Sequence, residues 1–212
     1  FIVSYVHTFV KDSSMDDSGR MRQLRNIDGE NNFAQAYAEL KHVFGGRFIM
    51  NGGVYGQYFL ANNTSAIEPR IGMRYRLAKN QSMGFGFGLH SQLQAMEIYY
   101  ARTYLPQTNS YDLSNFHLQF SRALHYVLGY DYQFRKDMRM KTEVYYQQLF
   151  QIPVSKTETT YSVLNLGGDF GGIFIVDSLE NKGAGTNYGL ELTLEKFFSK
   201  NYYFLLTTSL FD

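Results

Sequence analysis

The stretch GTNYGLELTLEKFFSKNYYFLLTTSLFD, residues 185–212, decides the fold class of this chain. It contains two strand-like runs joined by the short turn 198–201. In the first run, apolar and polar side chains alternate with a period of two, which indicates a β-strand because successive side chains point to opposite faces. One face carries Tyr188, Leu190, Leu192 and Leu194, and the other carries Glu191, Thr193 and Glu195.

Aromatic residues flank the apolar face of this stretch, namely Tyr188, Phe197, Phe198, Tyr202 and Tyr203. An apolar face between aromatic girdles, with a polar face opposite, is typical of a strand that contacts lipid on one side and water on the other. The apolar residues of the first run are therefore predicted to face lipid. Its two glutamates are predicted to line an aqueous lumen.

The composition of the 212 residues is compatible with a transmembrane barrel. No apolar run approaches the roughly 18 residues of a membrane helix, and the mean hydropathy is −0.31. The chain has no cysteine and three prolines. Its net charge is +1, so its charge does not indicate a nucleic-acid partner. It opens at Phe1 within a strand-like run, and we expect it to be a piece of a longer protein.

The sequence divides into nine strand-like segments whose connections alternate between short and long. The segments are 1–11, 33–44, 47–60, 67–77, 82–96, 117–134, 138–152, 185–197 and 202–212. The longer connections are 12–32, 61–66, 97–116 and 153–184, with a small hairpin expected in the last. This alternation places all short turns at one end, as in outer-membrane barrels. It predicts an all-β, antiparallel up-and-down transmembrane barrel segment, with residues 1–212 forming part of one barrel domain.

The same two-sided pattern recurs along the chain. The strand 117–134 is predicted to face lipid through Leu124, Tyr126, Leu128, Tyr130, Tyr132 and Phe134. Candidate lumen-lining residues are Arg70, Arg74, Arg76, His90, Gln92, Gln94, Arg139, Lys141, Glu143, Glu191 and Glu195. Three arginines on one strand face would be very unfavourable in a dry core, whereas a hydrated lumen tolerates them.

No motif indicates catalysis, a cofactor or a metal. The glycines at 84, 86 and 88 lack the spacing and the following helix of a nucleotide loop, and the histidines lack ligand spacing. Glu191 and Glu195 are about 13 Å apart on a strand, too far for a glycosidase pair, and are expected to face Lys141 or Arg139. Arg70, Arg74 and Arg76 either attract an anionic group or are balanced by acidic neighbours.

Four stretches resemble the barrel of TonB-dependent receptors, particularly those of Bacteroidetes-type bacteria. They are IEPRIGMRYRLAKNQSMGFGFGLHSQLQ (67–94), LHYVLGYDYQF (124–134), KTEVYYQQLFQIPV (141–154) and GAGTNYGLELTLEKFFSKNYYFLLTTSLFD (183–212). The resemblance implies a barrel of about 22 strands in the bacterial outer membrane, of which this chain supplies about nine. The barrel would be closed by an N-terminal plug domain.

The same resemblance implies active uptake of a scarce nutrient, such as a siderophore, cobalamin, an oligosaccharide or a peptide. The implied partners are outer-membrane lipid, the receptor's own plug, the TonB complex and, in some receptors, a surface lipoprotein. The arginine cluster could then pair with plug carboxylates, and loops 12–32, 97–116 and 153–184 would take part in substrate capture. Two alternatives stay open: a passive porin or adhesin-type barrel, and a soluble β-sandwich or lipocalin-like binding module. An enzyme is not expected.

Overall fold

The computed structural model describes residues 2–15, 19, 21–157, 160–166 and 178–212, and of residues 2–15 and 22–30 it describes the backbone. The structure has nine long strands, with the bounds β1 Ile2–Met15, β2 Met21–Phe44, β3 Phe48–Phe59, β4 Thr64–Ala78, β5 Gln81–Gln92, β8 Ser121–Arg135, β9 Met138–Ser155, β10 Leu179–Ser199 and β11 Tyr202–Phe211. They form one antiparallel sheet in the order β1-β2-β3-β4-β5-β8-β9-β10-β11. Among the described residues, no helix has the length and apolar character needed to cross a membrane.

The strands run up and down, so the connections lie at two opposite ends of the sheet. One end has the tight turns 45–47, 79–80, 136–137 and 200–201. The other end, here called the loop end, has the β1–β2, β3–β4, β5–β8 and β9–β10 connections. Lys200 and Asn201 have φ angles of 52° and 66°. Two central residues with positive φ match the twist of a two-residue hairpin. The predicted all-β, antiparallel up-and-down order, the nine strands of the main sheet and the segregation of the connections are confirmed.

Several predicted boundaries are wrong. The segment 12–32 is not a long loop, because β1 continues to Met15 and pairs with β2 from Met21. Likewise, β5 ends at Gln92, and β10 begins at Leu179 rather than at residue 185. Ladder hydrogen bonds join backbone groups, so a polar hairpin can extend the strands beyond the alternating region. The hairpin expected within 153–184 falls largely on residues 158–159 and 167–177, outside the described residues.

The β5–β8 connection, residues 93–120, contains regular structure. Helix α1 spans Met96–Tyr99, and a small hairpin joins β6, Thr103–Leu105, to β7, Ser110–Asp112. This connection and the loop-end residues of β3, β4 and β10 together build a small core of fully buried side chains. The members of this core are Phe59, Ala66, Ile98, Tyr99, Leu118, Phe120 and Leu179.

Candidate functional site

Cross-strand register shows that the sheet has one polar face. Arg70 pairs with Gly88, Gly88 with His125, His125 with Gln147, and Gln147 with Asn187. Residues paired in register have side chains on the same face of a sheet. Side chains two residues apart on a strand also share a face. The polar face therefore also carries Arg74, Arg76, His90, Gln92, Arg139, Lys141, Glu143, Glu191 and Glu195.

Gln94 is the one predicted lumen residue that lies outside the strands. Because β5 ends at Gln92, Gln94 belongs to the connection that leads into α1. Its side chain is 7% exposed and donates to Oγ of Ser121 at 2.6 Å. It therefore anchors the folded connection to the start of β8.

The opposite, apolar face carries the residues predicted to contact lipid. Tyr126 pairs with Tyr146, which pairs with Tyr188 in the next strand. The remaining predicted residues of β8 and β10 lie on the same side, namely Leu124, Leu128, Tyr130, Tyr132, Phe134, Leu190, Leu192 and Leu194. Leu128 is 49% exposed and Leu190 is 40% exposed. A face of this kind, left uncovered by the described residues, is compatible with contact to hydrocarbon.

A row of polar side chains, joined by ring contacts and hydrogen bonds, crosses the polar face and lies toward the loop end in β5 and β8. The rings of His90 and His125 lie 4.4 Å apart between centroids. Nε2 of Gln147 lies 3.1 Å from the His125 ring nitrogens, and Nδ2 of Asn187 donates to Oε1 of Gln147 at 3.1 Å. A Cβ at Gly88 would meet Nε2 of His90 at 2.8 Å. Glycine at position 88 therefore gives the His90 ring the space in which it lies.

Glu68 organises the part of this face closest to the folded connection. The residue is 1% exposed. Its carboxylate accepts from Nε2 of Gln57, from Arg70 and, at 2.9 Å, from the backbone N–H of Ser91. The Arg70 guanidinium lies 5.3 Å from the centroid of the Tyr55 ring. A buried carboxylate needs such partners, and their arrangement holds Arg70 in place with its side chain half exposed on the polar face.

The connection 93–120 covers the polar face at the loop end, where asparagine side chains attach it to the sheet. Nδ2 of Asn62 donates to the carbonyl oxygens of Phe116 and Leu118, both at 2.9 Å. Asn181 accepts from the backbone N–H of Gln119 at 2.9 Å. Burial raises the pKa of Tyr99 to about 12, because a buried site disfavours the charged phenolate. The connection is thus a packed cover over this end of the polar face, attached to it by these asparagine hydrogen bonds.

Ion pairs cross β8, β9 and β10 near the turn end. Arg139 binds Asp131 through Nε, 3.0 Å from each carboxylate oxygen, and lies 3.8 Å from Glu195. The expectation that Glu195 faces Arg139 agrees with this geometry. Glu191 behaves differently, because it lies opposite Glu143 in the ladder, while Lys141 lies opposite Thr193. Lys141 instead pairs with Glu143 on its own strand.

The three arginines of β4 do not act as one cluster. Arg70 is bound to Glu68, whereas Arg74 and Arg76 line a cavity of about 200 Å³ at the turn end, together with Arg47 and Lys79. Within the described residues, no three histidine, aspartate or glutamate side chains converge as metal ligands.

Several residues of the polar face are missed by sequence reasoning. Glu68 and Gln57 alternate correctly with their strand neighbours, but nothing local to their sequence indicates burial. Asn62 and Asn115 lie in connections and act on residues more than fifty positions away. The one available signal is the short polar run Asn62-Asn63-Thr64-Ser65 at the connection from β3 to β4, because such side chains near turns commonly bond to backbone.

No protein-family model matches the sequence, and no curated protein matches it. Solved structures do share its fold. The siderophore receptor PirA from Pseudomonas aeruginosa is 12% identical, with a TM-score of 0.64 over 90% of this chain and 37% of the receptor. The FrpB iron transporter from Neisseria meningitidis (F3-3 variant) is 14% identical, with a TM-score of 0.58 over 86% of this chain and 25% of the transporter.

The copper transporter OprC is 12% identical, with a TM-score of 0.53 over 93% of this chain and 33% of the transporter. This chain therefore spans well under half the length of each of the three proteins. The Bacteroidetes-type part of the resemblance stays a prediction. The nine-stranded sheet has the antiparallel up-and-down fold of a section of the barrel in TonB-dependent receptors.

Proposed function

We propose that this chain is part of the wall of a TonB-dependent transporter in the bacterial outer membrane, which takes up a scarce nutrient. The observation that carries the proposal is the division of the continuous sheet into one polar and one exposed apolar face. In this role, the apolar face contacts lipid and the polar face borders a water-filled bore. The nutrient would be a siderophore, cobalamin, an oligosaccharide or a peptide.

The open edges of the sheet support a role within a larger barrel. The strand order ends at β1 and β11, and every residue of β11 is exposed. An unpaired strand has free N–H and C=O groups, which cannot remain unpaired in hydrocarbon. In the proposed protein, further strands pair with both edges, a plug domain occupies the bore, and the TonB complex supplies energy. A surface lipoprotein would contact the loop end in receptors that use one.

The orientation of the wall follows from its connections. In outer-membrane barrels the short turns face the periplasm and the longer connections face outside. The covered end, with connection 93–120 and its asparagine attachments, would then meet the nutrient first. The row formed by Arg70, His90, His125 and Gln147 lies directly beyond this cover and offers donors to a polar ligand.

Nutrient uptake by the full-length protein tests the proposal. The protein is expressed in a bacterial host with and without functional TonB, and growth is followed on limiting siderophore, cobalamin, oligosaccharide or peptide. We expect uptake of one class that disappears without TonB, and a protein that fractionates with the outer membrane and needs detergent for extraction. Uptake that is independent of TonB would indicate a passive barrel. A folded, monodisperse protein obtained without detergent would indicate a soluble binding module.

A further inference from the structure

An arginine lies at the loop end of the apolar face. Arg122 pairs in the ladder with Ser91 of β5 and Phe150 of β9, and it is two residues from Leu124 on its own strand. Side chains two residues apart share a face of a sheet, so Arg122 shares the face that carries Leu124. A charged side chain on such a face is unfavourable at the level of the hydrocarbon, and this cost falls toward the interface.

The described residues provide no partner for the Arg122 guanidinium. It forms no ion pair with a described carboxylate, and its Nε is buried without a hydrogen-bond acceptor, which is unfavourable. Oγ of Ser91, on the side chain directly opposite, is likewise buried without a partner. Gln148 lies on the same face, opposite Leu124, and is exposed. Three side chains that can donate hydrogen bonds therefore occupy neighbouring strands at this end of the apolar face.

A second cation of the apolar face is neutralised within the chain. Lys196 of β10 lies at the turn end, two residues from Leu194. Nζ of Lys196 lies 3.2 Å from the Asp137 carboxylate and 2.6 Å from Oγ of Ser199. The chain thus supplies an anion to Lys196, whereas the described residues supply none to Arg122. An anion beside Arg122 has to come from outside the described residues.

The height of Arg122 on the apolar face corresponds to the lipid headgroups. The part of β8 from Arg122 to Phe134 is about 40 Å long in an extended strand, or about 30 Å along the barrel axis at the usual tilt. The apolar band of an outer-membrane barrel is about 25 Å tall. Between the two residues, the Tyr126 ring lies 5.1 Å from the Phe87 ring and 6.3 Å from the Tyr146 ring. When Phe134 lies at one edge of the band, Arg122 therefore lies just beyond the other edge, on the side of the loop end.

Phosphate is the anion that fits these donors. A guanidinium binds phosphate through two parallel hydrogen bonds, and a serine hydroxyl and a glutamine amide can donate to further oxygens. We propose that Arg122, assisted by Ser91 and Gln148, binds the phosphate group of a lipid in the outer leaflet of the membrane. This inference goes beyond general contact with hydrocarbon, and it rests on the proposed function because it requires the apolar face to lie in the outer membrane.

The surroundings of Arg122 favour a lipid over a free anion. Its neighbours on the face are apolar, with Phe150 opposite it in β9 and Leu124 beside it on β8, which pairs with Leu89. A free phosphate ion would lose water against these side chains without any gain from apolar contact. A lipid brings its acyl chains against the same apolar side chains, so burial of apolar surface adds to the contact between phosphate and guanidinium.

Lipid binding to the full-length protein tests this site. The protein is extracted in a non-ionic detergent and titrated with diphosphorylated lipid A, and the lipid-bound fraction is measured by native mass spectrometry. We expect Arg122→Gln to raise the half-saturating lipid concentration about tenfold, the loss expected for one charge-assisted contact. Arg122→Lys keeps the charge without the two parallel bonds and should lie between the variant and the wild-type protein. Dephosphorylated lipid A with the same acyl chains should bind the wild-type protein about as weakly as the phosphorylated lipid binds Arg122→Gln.

The matched control is Lys156→Gln, which removes an exposed positive charge just after β9 at the loop end and should leave lipid binding unchanged. Folding of each variant is checked by its mobility in unheated gels. Equal binding of the two lipids by the wild-type protein would overturn the inference, whether or not a variant folds. Equal binding by Arg122→Gln and wild type, or displacement by inorganic phosphate at the lipid's own concentration, would overturn it as well. TonB-dependent uptake by the wild-type protein would still support the proposed function in each case, so the two failures are distinguishable.

Discussion

The backbone N–H of Leu179 donates to Oδ1 of Asn115 at 2.8 Å, and both residues are completely buried. The bond joins the end of connection 93–120 to the first residue of β10, and the backbone N–H of Ser178 makes a parallel bond to Oγ of Ser114 at 2.9 Å. Connection 93–120 is therefore attached to the beginning of β10 by two neighbouring hydrogen bonds. A cover attached in this way opens by breaking buried hydrogen bonds rather than by free loop motion.

Replacing Asn115 should loosen this cover. Asn115→Ala leaves the buried N–H of Leu179 without an acceptor, which costs about 1–3 kcal/mol. We expect faster amide hydrogen exchange at Leu179 and faster proteolysis within residues 93–120, with little change in exchange along β8 and β9. Gln107→Ala, an exposed change in the β6–β7 turn, should leave both measurements unchanged. Equal exchange in the two variants would show that the cover does not depend on Asn115.

Glu68 should be a major stability determinant of the polar face. In Glu68→Ala, Gln57, Arg70 and the Ser91 N–H lose their shared acceptor, and the free energy of unfolding should fall by about 2–4 kcal/mol. Glu39→Ala removes an exposed carboxylate from the same face and should change it by less than about 0.5 kcal/mol. Reversible urea unfolding of the full-length protein in lipid vesicles measures both. A Glu68 variant as stable as the Glu39 variant would contradict the assignment of this hydrogen-bonded centre.

The two faces of β10 can be compared at adjacent residues. Leu192 lies on the apolar face and Thr193 on the polar face. If the apolar face contacts hydrocarbon, Leu192→Arg should destabilise the folded protein in lipid vesicles by about 2–4 kcal/mol. Thr193→Arg, which places the same charge in the aqueous bore, should have a much smaller effect. The reverse order of the two effects would show that the faces are assigned the wrong way round.

Local periodicity is sufficient to predict the faces of β8 and β10. The alternation of Leu124 to Phe134 and of Tyr188 to Leu194 reflects direct contact of alternate side chains with two different surroundings. That information is local, so it can be read from the sequence without knowledge of the fold. For the same reason, the alternation of short and long connections predicts the up-and-down order of the sheet.

The cover at the loop end could not be predicted in this way. Phe59, Tyr99 and Leu179 come together from three distant parts of the chain. The alternation of apolar and polar residues around each of them does not indicate this contact. The extension of β1 and β2 into residues 12–32 could not be predicted for a related reason. Its pairing depends on backbone groups, and the charged sequence around Asp12 to Asn32 carries no alternation that marks it as strand.

The contacts of Asp137, in the turn between β8 and β9, predict that the stability of the protein depends on pH. Asp137 accepts a hydrogen bond from Oγ of Ser199 and lies 3.2 Å from Nζ of Lys196, which is itself 4% exposed and lies over the Tyr202 ring at 4.1 Å. The hydrogen bond from Ser199, followed by the bond from Lys196, lowers the pKa of Asp137 below its ordinary value of 3.8. Both bonds favour the charged carboxylate.

The sign of the effect follows from linkage. A carboxyl group whose pKa is lower in the folded state contributes stability above its unfolded pKa, and that stability is lost as pH falls through the folded pKa. The wild-type protein should therefore lose stability as pH falls below the ordinary carboxyl pKa of about 3.9, and Asp137→Asn should lose less as the pH falls. Ser199→Ala, which removes the largest cause of the shift, should lie between them. Urea midpoints at pH 6 and pH 3 measure the difference, and identical losses in all three proteins would show that Asp137 is not stabilised by this turn.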